Sequence, residues 1–189
     1  MGRPEVTSHA AIEQVAFALF RERGFEATTL DAIAEAVGVG RRTLFRYYQS
    51  KNDIPWGRFD LTLERFRELL RTTPDHLGVY SAVARAIVEF NRFPADASPP
   101  HEERMRLILR TPALQAHSAL RYAEWRRVIV EYAAGRLGVG VDALEPRLLG
   151  HVGLALALTA YESWLEEPSR DVTELLEEGT AALITLTDD

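Results

Sequence analysis

Arg41, Arg42, Thr43, Phe45, Arg46, Tyr47 and Lys51 fall within a short stretch of the sequence, and their types suit one kind of chemistry, the reading of a nucleic-acid groove. An arginine can make a paired hydrogen bond to guanine, and a threonine can reach a base or a phosphate. A phenyl ring can touch a thymine methyl. Base readout is therefore assigned mainly to Arg41, Arg42 and Phe45. Tyr47 and Lys51 are expected to meet backbone phosphates, as are Thr29 and the start of the helix it caps. A basic helix face is ordinarily a solvated surface. Phe45 changes that reading, because an exposed aromatic between arginines marks a binding surface.

Other chemistry finds little support. The five histidines, His9, His76, His101, His117 and His151, show no pairing at metal-ligand spacing. His101-Glu102-Glu103 does not fit HExxH, GxSxG is absent, and Gly38-Val39-Gly40 lacks the strand and third glycine of a phosphate loop. No catalytic residue, metal or cofactor is assigned. Two alternatives are a helical metabolic enzyme and a protein-binding adaptor. The adaptor leaves Arg41, Arg42, Phe45 and Lys51 without a purpose.

Composition narrows the setting. The chain has 189 residues, 47% of them hydrophobic, enough for a core. It holds no cysteine, which excludes disulfides and thiolate chemistry and fits a reducing cytoplasm. The start, Met1-Gly2-Arg3-Pro4-Glu5, has no apolar signal core, so a cytoplasmic protein is expected, nucleoid-associated when bound to DNA. The most apolar run, Leu148 to Leu165, is interrupted by His151 and Glu162 and reads as a buried helix, so no membrane partner is expected. The net charge of −6 is unevenly spread. Residues 1–51 carry seven Lys or Arg against six acids, and the remainder 15 against 22. This split permits nucleic-acid binding through the N-terminal part only.

The elements that must position these residues follow from periodicity. Ile12, Val15, Ala16, Leu19 and Phe20 line one face of a helix from Ser8 to Arg23, ended by Gly24. Thr28 or Thr29 caps a second, with Asp31 in its first turn and Leu30, Ile33, Ala34 and Val37 inward, stopped by Gly38. A glycine turn then leads to residues 41–48, completing a helix-turn-helix. Ser50 and Asp53 form a capping box that opens a long helix to Arg71, weakened near Pro55 and Gly57. Further helices are predicted over 76–92, 101–110, 112–137, 142–166 and 171–186. No strand pattern appears. The fold class is all-α, about nine helices, divided into a helix-turn-helix domain over 1–51 and a ligand-binding and dimerisation domain over 52–189.

The run from Ala11 to Lys51 resembles the DNA-binding domain of the TetR family in Leu19-Phe20, Arg23-Gly24-Phe25, Thr28-Thr29, Ile33-Ala34, Ala36-Val37-Gly38-Val39, Thr43-Leu44, Tyr47-Tyr48 and Ser50-Lys51. Gly40-Arg41-Arg42-Thr43 and Ser50-Lys51-Asn52-Asp53-Ile54-Pro55-Trp56-Gly57 are similar to the mycofactocin-associated branch. It departs from the usual pattern at Arg46 and Tyr48. The resemblance implies a transcriptional regulator, most often a repressor, released from operator DNA by a small molecule.

One helix-turn-helix touches too few bases for useful specificity, so a two-fold homodimer on a palindromic double-stranded operator is expected. The helix over 146–166 is apolar nearly all round. Leu149, Val152, Leu156 and Ala160 on it, with Leu176, Gly179 and Leu183 on the last helix, whose stripe runs on to Leu186, are assigned to the interface. The resemblance also implies dimerisation through the last two helices. Phe90, Phe93, Met105, Leu109, Tyr122, Trp125, Ile129, Tyr161 and Trp164 are candidates for an apolar effector pocket, with His117 or Arg121 as polar contact. The resemblance suggests a hydrophobic effector such as a long-chain acyl-CoA. Such a ligand must favour the DNA-incompetent state. The route expected is a tilt of the helix from Ser50 to Arg71, bending near Pro55 and Gly57.

Overall fold

The computed structural model describes residues 7–94 and 96–188, with side chains through 185. The polar start with Arg3, and the Leu186 side chain, lie outside the described residues. Nine α-helices and one 3-10 helix appear among them, with no strand: α1 (His9–Arg23), α2 (Leu30–Val37), α3 (Arg41–Leu44), the 3-10 helix (Lys51–Trp56), α4 (Phe59–Arg71), α5 (Val79–Phe90), α6 (His101–Arg110), α7 (Pro112–Leu137), α8 (Leu144–Glu166) and α9 (Val172–Asp188).

The chain divides into two compact units, and the division falls at the start of α4 and inside α7. The first unit does not stop at residue 51. It continues through the 3-10 helix to Phe59 and takes in the segment up to His117, which carries α6. Its core holds Ile12, Ala16, Phe17 and Phe20 of α1, Ile33 of α2, Leu44 of α3, Ile54 of the 3-10 helix and Leu114 of α7. The apolar spacing of α1 and α2 thus buries the faces it marks.

The second unit is centred on Phe66, Ile87, Val128, Ile129 and Leu176, all buried. Phe66 stacks on Trp125 at 4.9 Å between centroids and tilts against Phe90 at 4.7 Å. Tyr161 donates its hydroxyl proton to Asn91 Oδ1, and Asn91 Nδ2 donates to the Ile87 carbonyl at 2.7 Å. Burial holds the Tyr161 phenol protonated. Bare glycines bring α8 close to its neighbours. A Cβ on Gly153 would lie 2.9 Å from Ile129 Cδ1, and one on Gly179 of α9 would lie 2.6 Å from Leu156 Cδ1.

Two expectations are corrected here. The long helix from Ser50 to Arg71 is two elements. The Ser50–Asp53 capping box forms as expected, but it opens a 3-10 helix that ends at Gly57, where φ is +59°. Pro55 removes a donor and Gly57 takes a conformation other residues avoid, so the chain turns before α4 begins. Leu156, Ala160 and Leu176 are buried within this chain, and Gly179 is spent on Leu156. Leu156 and Gly179 meet across α8 and α9 of one chain, and Ala160 and Leu176 are likewise taken up by its own core.

Candidate nucleic-acid interface

The interface is built from α2 and α3. Thr28 is buried and donates its hydroxyl proton to the Gly24 carbonyl at 2.8 Å, closing the loop after α1. Thr29 is exposed and its Oγ1 accepts from Ala32 N at 3.1 Å, so the threonine expected to meet phosphate is also the cap of α2. Gly38 ends α2 in the left-handed region, with φ +77° and ψ 29°. Its amide returns to Glu35, and that of Val39 returns to the Ala34 carbonyl at 2.9 Å. Gly40 then starts α3. That helix makes a single turn and continues to Tyr48 as tight turns, with Tyr47 N and Tyr48 N both reaching the Leu44 carbonyl.

Leu44, fully buried, and Tyr48 anchor this segment to the core. Arg41, Arg42, Phe45 and Arg46 are exposed as a consequence, and Thr43 is half-buried. Phe45 is 39% exposed, large for a phenyl ring that could have turned inward. Arg41 lies 5.4 Å from the centroid of the Phe45 ring and pairs with Asp31 Oδ2 at 3.1 Å. That pair is open to solvent, so it costs little to exchange for a guanine edge. Arg42 and Arg46 have no ion-pair partner among the described residues. The structure thus brings Thr29, Arg41, Arg42, Phe45 and Arg46 to the surface of one helix pair.

Two assigned residues have other work. Lys51 Nζ donates to the carbonyls of Phe25, Glu26 and Thr28 at 2.6, 3.2 and 2.8 Å, and stands 4.4 Å from the Phe25 ring centroid. All three ammonium protons are used, which corrects its assignment to a phosphate. Burial lowers its pKa, with Glu26 opposing. Tyr47 donates to the Thr7 carbonyl at 2.7 Å, so its single hydroxyl proton is likewise not free for phosphate here.

Sequence reasoning missed a buried polar cluster behind this surface. Glu13 of α1 accepts from Tyr48 OH at 2.7 Å and is paired with Arg104 Nη2 of α6. Arg104 Nη1 donates to the Pro55 carbonyl at 2.6 Å, and its guanidinium lies over Phe17. Burial first, then Glu13, raises the Tyr48 pKa far above the ordinary phenol value. A Cβ on Gly57 would meet Glu13 Oε1 at 3.2 Å. The one available signal was an acid, Glu13, on the apolar side of α1.

The effector candidates are divided between the two units. Met105, Leu109 and His117 belong to the first unit, where His117 Nε2 stands 3.0 Å from Asp53 Oδ1. His117 thus has a carboxylate neighbour of its own within that unit. Phe90, Trp125, Tyr161, Trp164, Arg121 and Tyr122 lie in the second unit, and Ile129 is in its core. Phe90, Trp125 and Tyr161 are buried, whereas Phe93 is exposed. Burial pushes the Tyr122 phenol up to about 12. No group of residues suited to a metal ion occurs among the described residues.

Comparison with known proteins agrees with this architecture. Residues 12–54 match the model for bacterial regulatory proteins of the tetR family, and residues 77–187 match the MftR C-terminal domain. The chain is 42% identical over 176 residues to MftR of Mycobacterium tuberculosis, covering 93% of this chain and 89% of that protein. The name of that relative assigns it to transcriptional regulation of mycofactocin biosynthesis. Among solved structures, the chain superposes on Thermus thermophilus FadR in complex with lauroyl-CoA with a TM-score of 0.55 and 24% identity, covering 94% and 93% of the two chains. For SmeT, the repressor of a Stenotrophomonas maltophilia efflux pump, the TM-score is 0.60 at 18% identity, covering 93% and 90%. With a helix-turn-helix that presents arginines from a buried anchor, and residues 77–187 matching the MftR C-terminal domain, the chain belongs to the TetR family of transcriptional regulators, in the branch with that domain.

Proposed function

We propose that this regulator is a repressor that binds a palindromic operator as a homodimer and is released by a small hydrophobic effector. The observation that carries the reading is the exposed cluster of Arg41, Arg42, Phe45 and Arg46 on a helix whose other side is fully buried at Leu44. Each copy offers one short recognition helix, so two half-sites are needed. Arg41 and Arg42 read base edges, Phe45 packs on thymine methyls, Thr43 reaches a base or phosphate, and Arg46 and Thr29 meet phosphates.

The dimer face suits the outer side of α8 and α9 better than the buried set. Leu144 and Leu148 are 77% and 57% exposed on α8, and Ala155 and Thr159 continue the same side, with Val152 beside them. Ala181, Ala182 and Ile184 are exposed on α9. Leu149 and Leu183 border these stripes. A row of apolar side chains at helical spacing left in water is what a second copy would cover.

A long-chain acyl-CoA remains the effector of choice, with lauroyl-CoA as first probe because FadR was solved with it. The aromatic group of Phe90, Trp125, Tyr161 and Trp164 is the place to look for the acyl chain, with Arg121 or Tyr122 as polar contact. The test is retention of a palindromic duplex by the purified protein, repeated with acyl-CoA of increasing length. Release by a long chain and not by free CoA supports the reading. Retention unchanged at every chain length removes the acyl effector and leaves operator binding standing.

A further inference from the structure

Within the second unit, a groove of about 450 Å³ lies between α7 and α8 beside the loop that joins them. Gly150 shapes it. A Cβ there would lie 2.9 Å from Val130 Cγ2 and 3.3 Å from the Arg126 carbonyl oxygen, so the bare backbone lets α8 settle onto α7. Arg147 and His151 flank that glycine one helical turn apart, and α7 contributes Arg126 and Arg127. Three arginines and a histidine therefore line one concavity.

The surroundings make this convergence unusual. Residues 118–189 hold six arginines against 13 acids, yet three of the six line this groove. Its carboxylates are Glu131 and Asp142. Glu131 pairs with Arg127 at 2.8 Å, while Arg126 and Arg147 have no ion-pair partner among the described residues. Like charges held in one groove repel, and a multiply charged anion relieves that repulsion while accepting paired hydrogen bonds from guanidinium. Val130 and Val141 give the groove an apolar side. Arg147 and His151 are also rotated off the Leu148–Ala155 stripe by roughly 40–100° around α8, from about 100° per residue, so the groove sits on the flank of that stripe.

We infer that this groove binds a small organic molecule carrying two phosphate groups, with Arg126, Arg127 and Arg147 on the phosphates and its organic part against Val130 and Val141. The inference does not depend on which effector releases the operator. Full-length protein titrated by calorimetry with inorganic pyrophosphate, at ionic strength held constant with sodium chloride, should give saturable binding, and ADP should bind more tightly than pyrophosphate. R126Q/R147Q should weaken both at least tenfold, whereas R170Q, at a surface arginine outside the groove, should not. In the unaltered protein, pyrophosphate should shift the NMR signals of the His151 ring. A signal no different from added chloride, full affinity in R126Q/R147Q, or an unmoved His151 would each overturn the site. ADP no tighter than pyrophosphate would overturn the role of the valines. None of these readouts involves operator DNA, so failure here is distinct from failure of the repressor reading.

Discussion

Lys51 fastens the loop between α1 and α2 by giving its ammonium protons to three backbone carbonyls. Replacing it with methionine keeps the aliphatic stem and strands those acceptors. Hydrogen bonds to a charged group contribute about 1.5–3 kcal/mol, so denaturant unfolding of Lys51→Met should show a loss of that order. An unchanged midpoint, with weaker DNA binding at every sequence, would return Lys51 to the phosphate role. His101 is a second residue with a measurable signature. Burial, then Arg104, lowers its pKa to about 3. The unfolded chain takes up a proton near pH 6.5 that the folded chain refuses. Stability is therefore complete above about pH 6.5 and falls as pH drops toward 3, by up to about 1.4 kcal/mol per pH unit. Unfolding measured at pH 7, 6 and 5 should show His101→Asn losing less stability on acidification than the parent, and parallel losses would contradict the assignment.

At the scale of elements, helix boundaries followed closely from local signals. Ser8, Thr29 and Gly38 cap where their chemistry requires, α6 runs between Pro100 and Thr111-Pro112, and α7 runs from Pro112 to the turn at Gly138. The 3-10 helix was hidden because its capping box is genuine, and only the combination of Pro55 with a positive φ at Gly57 separates it from α4. The contacts that tie it down were not legible at all. Arg104 is 91 residues from Glu13 in sequence, and no local pattern announces a pair formed by folding alone. Gly57 is where this shows most directly. A side chain there must adopt a disfavoured φ and press on Glu13, so Gly57→Ala should cost about 1–3 kcal/mol in equilibrium unfolding. An alanine as stable as glycine would mean that the turn is not constrained. The same distinction explains the recognition segment. Its exposed arginines are visible in sequence, but the internal use of Lys51 and Tyr47 depends on carbonyls brought near by the fold.

For the whole molecule, an apolar helix read from sequence cannot tell a partner's helix from a neighbour in the same chain. Leu156, Ala160 and Leu176 proved to be internal, and the stripe left in water runs instead through Leu144, Leu148 and Ala155. Leu148→Glu should thus convert a dimer to monomer in sedimentation at micromolar concentration without loss of helical content, and a persistent dimer would place the interface elsewhere. None of the described helices is long and apolar enough to cross a membrane. Two copies are proposed to read a symmetric DNA site through Arg41 and its neighbours. Selection of bound duplexes from random DNA tests it most directly, run in parallel for the parent and Arg41→Ala. An inverted repeat bound in a salt-dependent manner is expected, with Arg41→Ala losing about 1–3 kcal/mol per half-site and its preference at one base position only. Enrichment of no symmetric sequence, or the same preference at every position in both proteins, would contradict it.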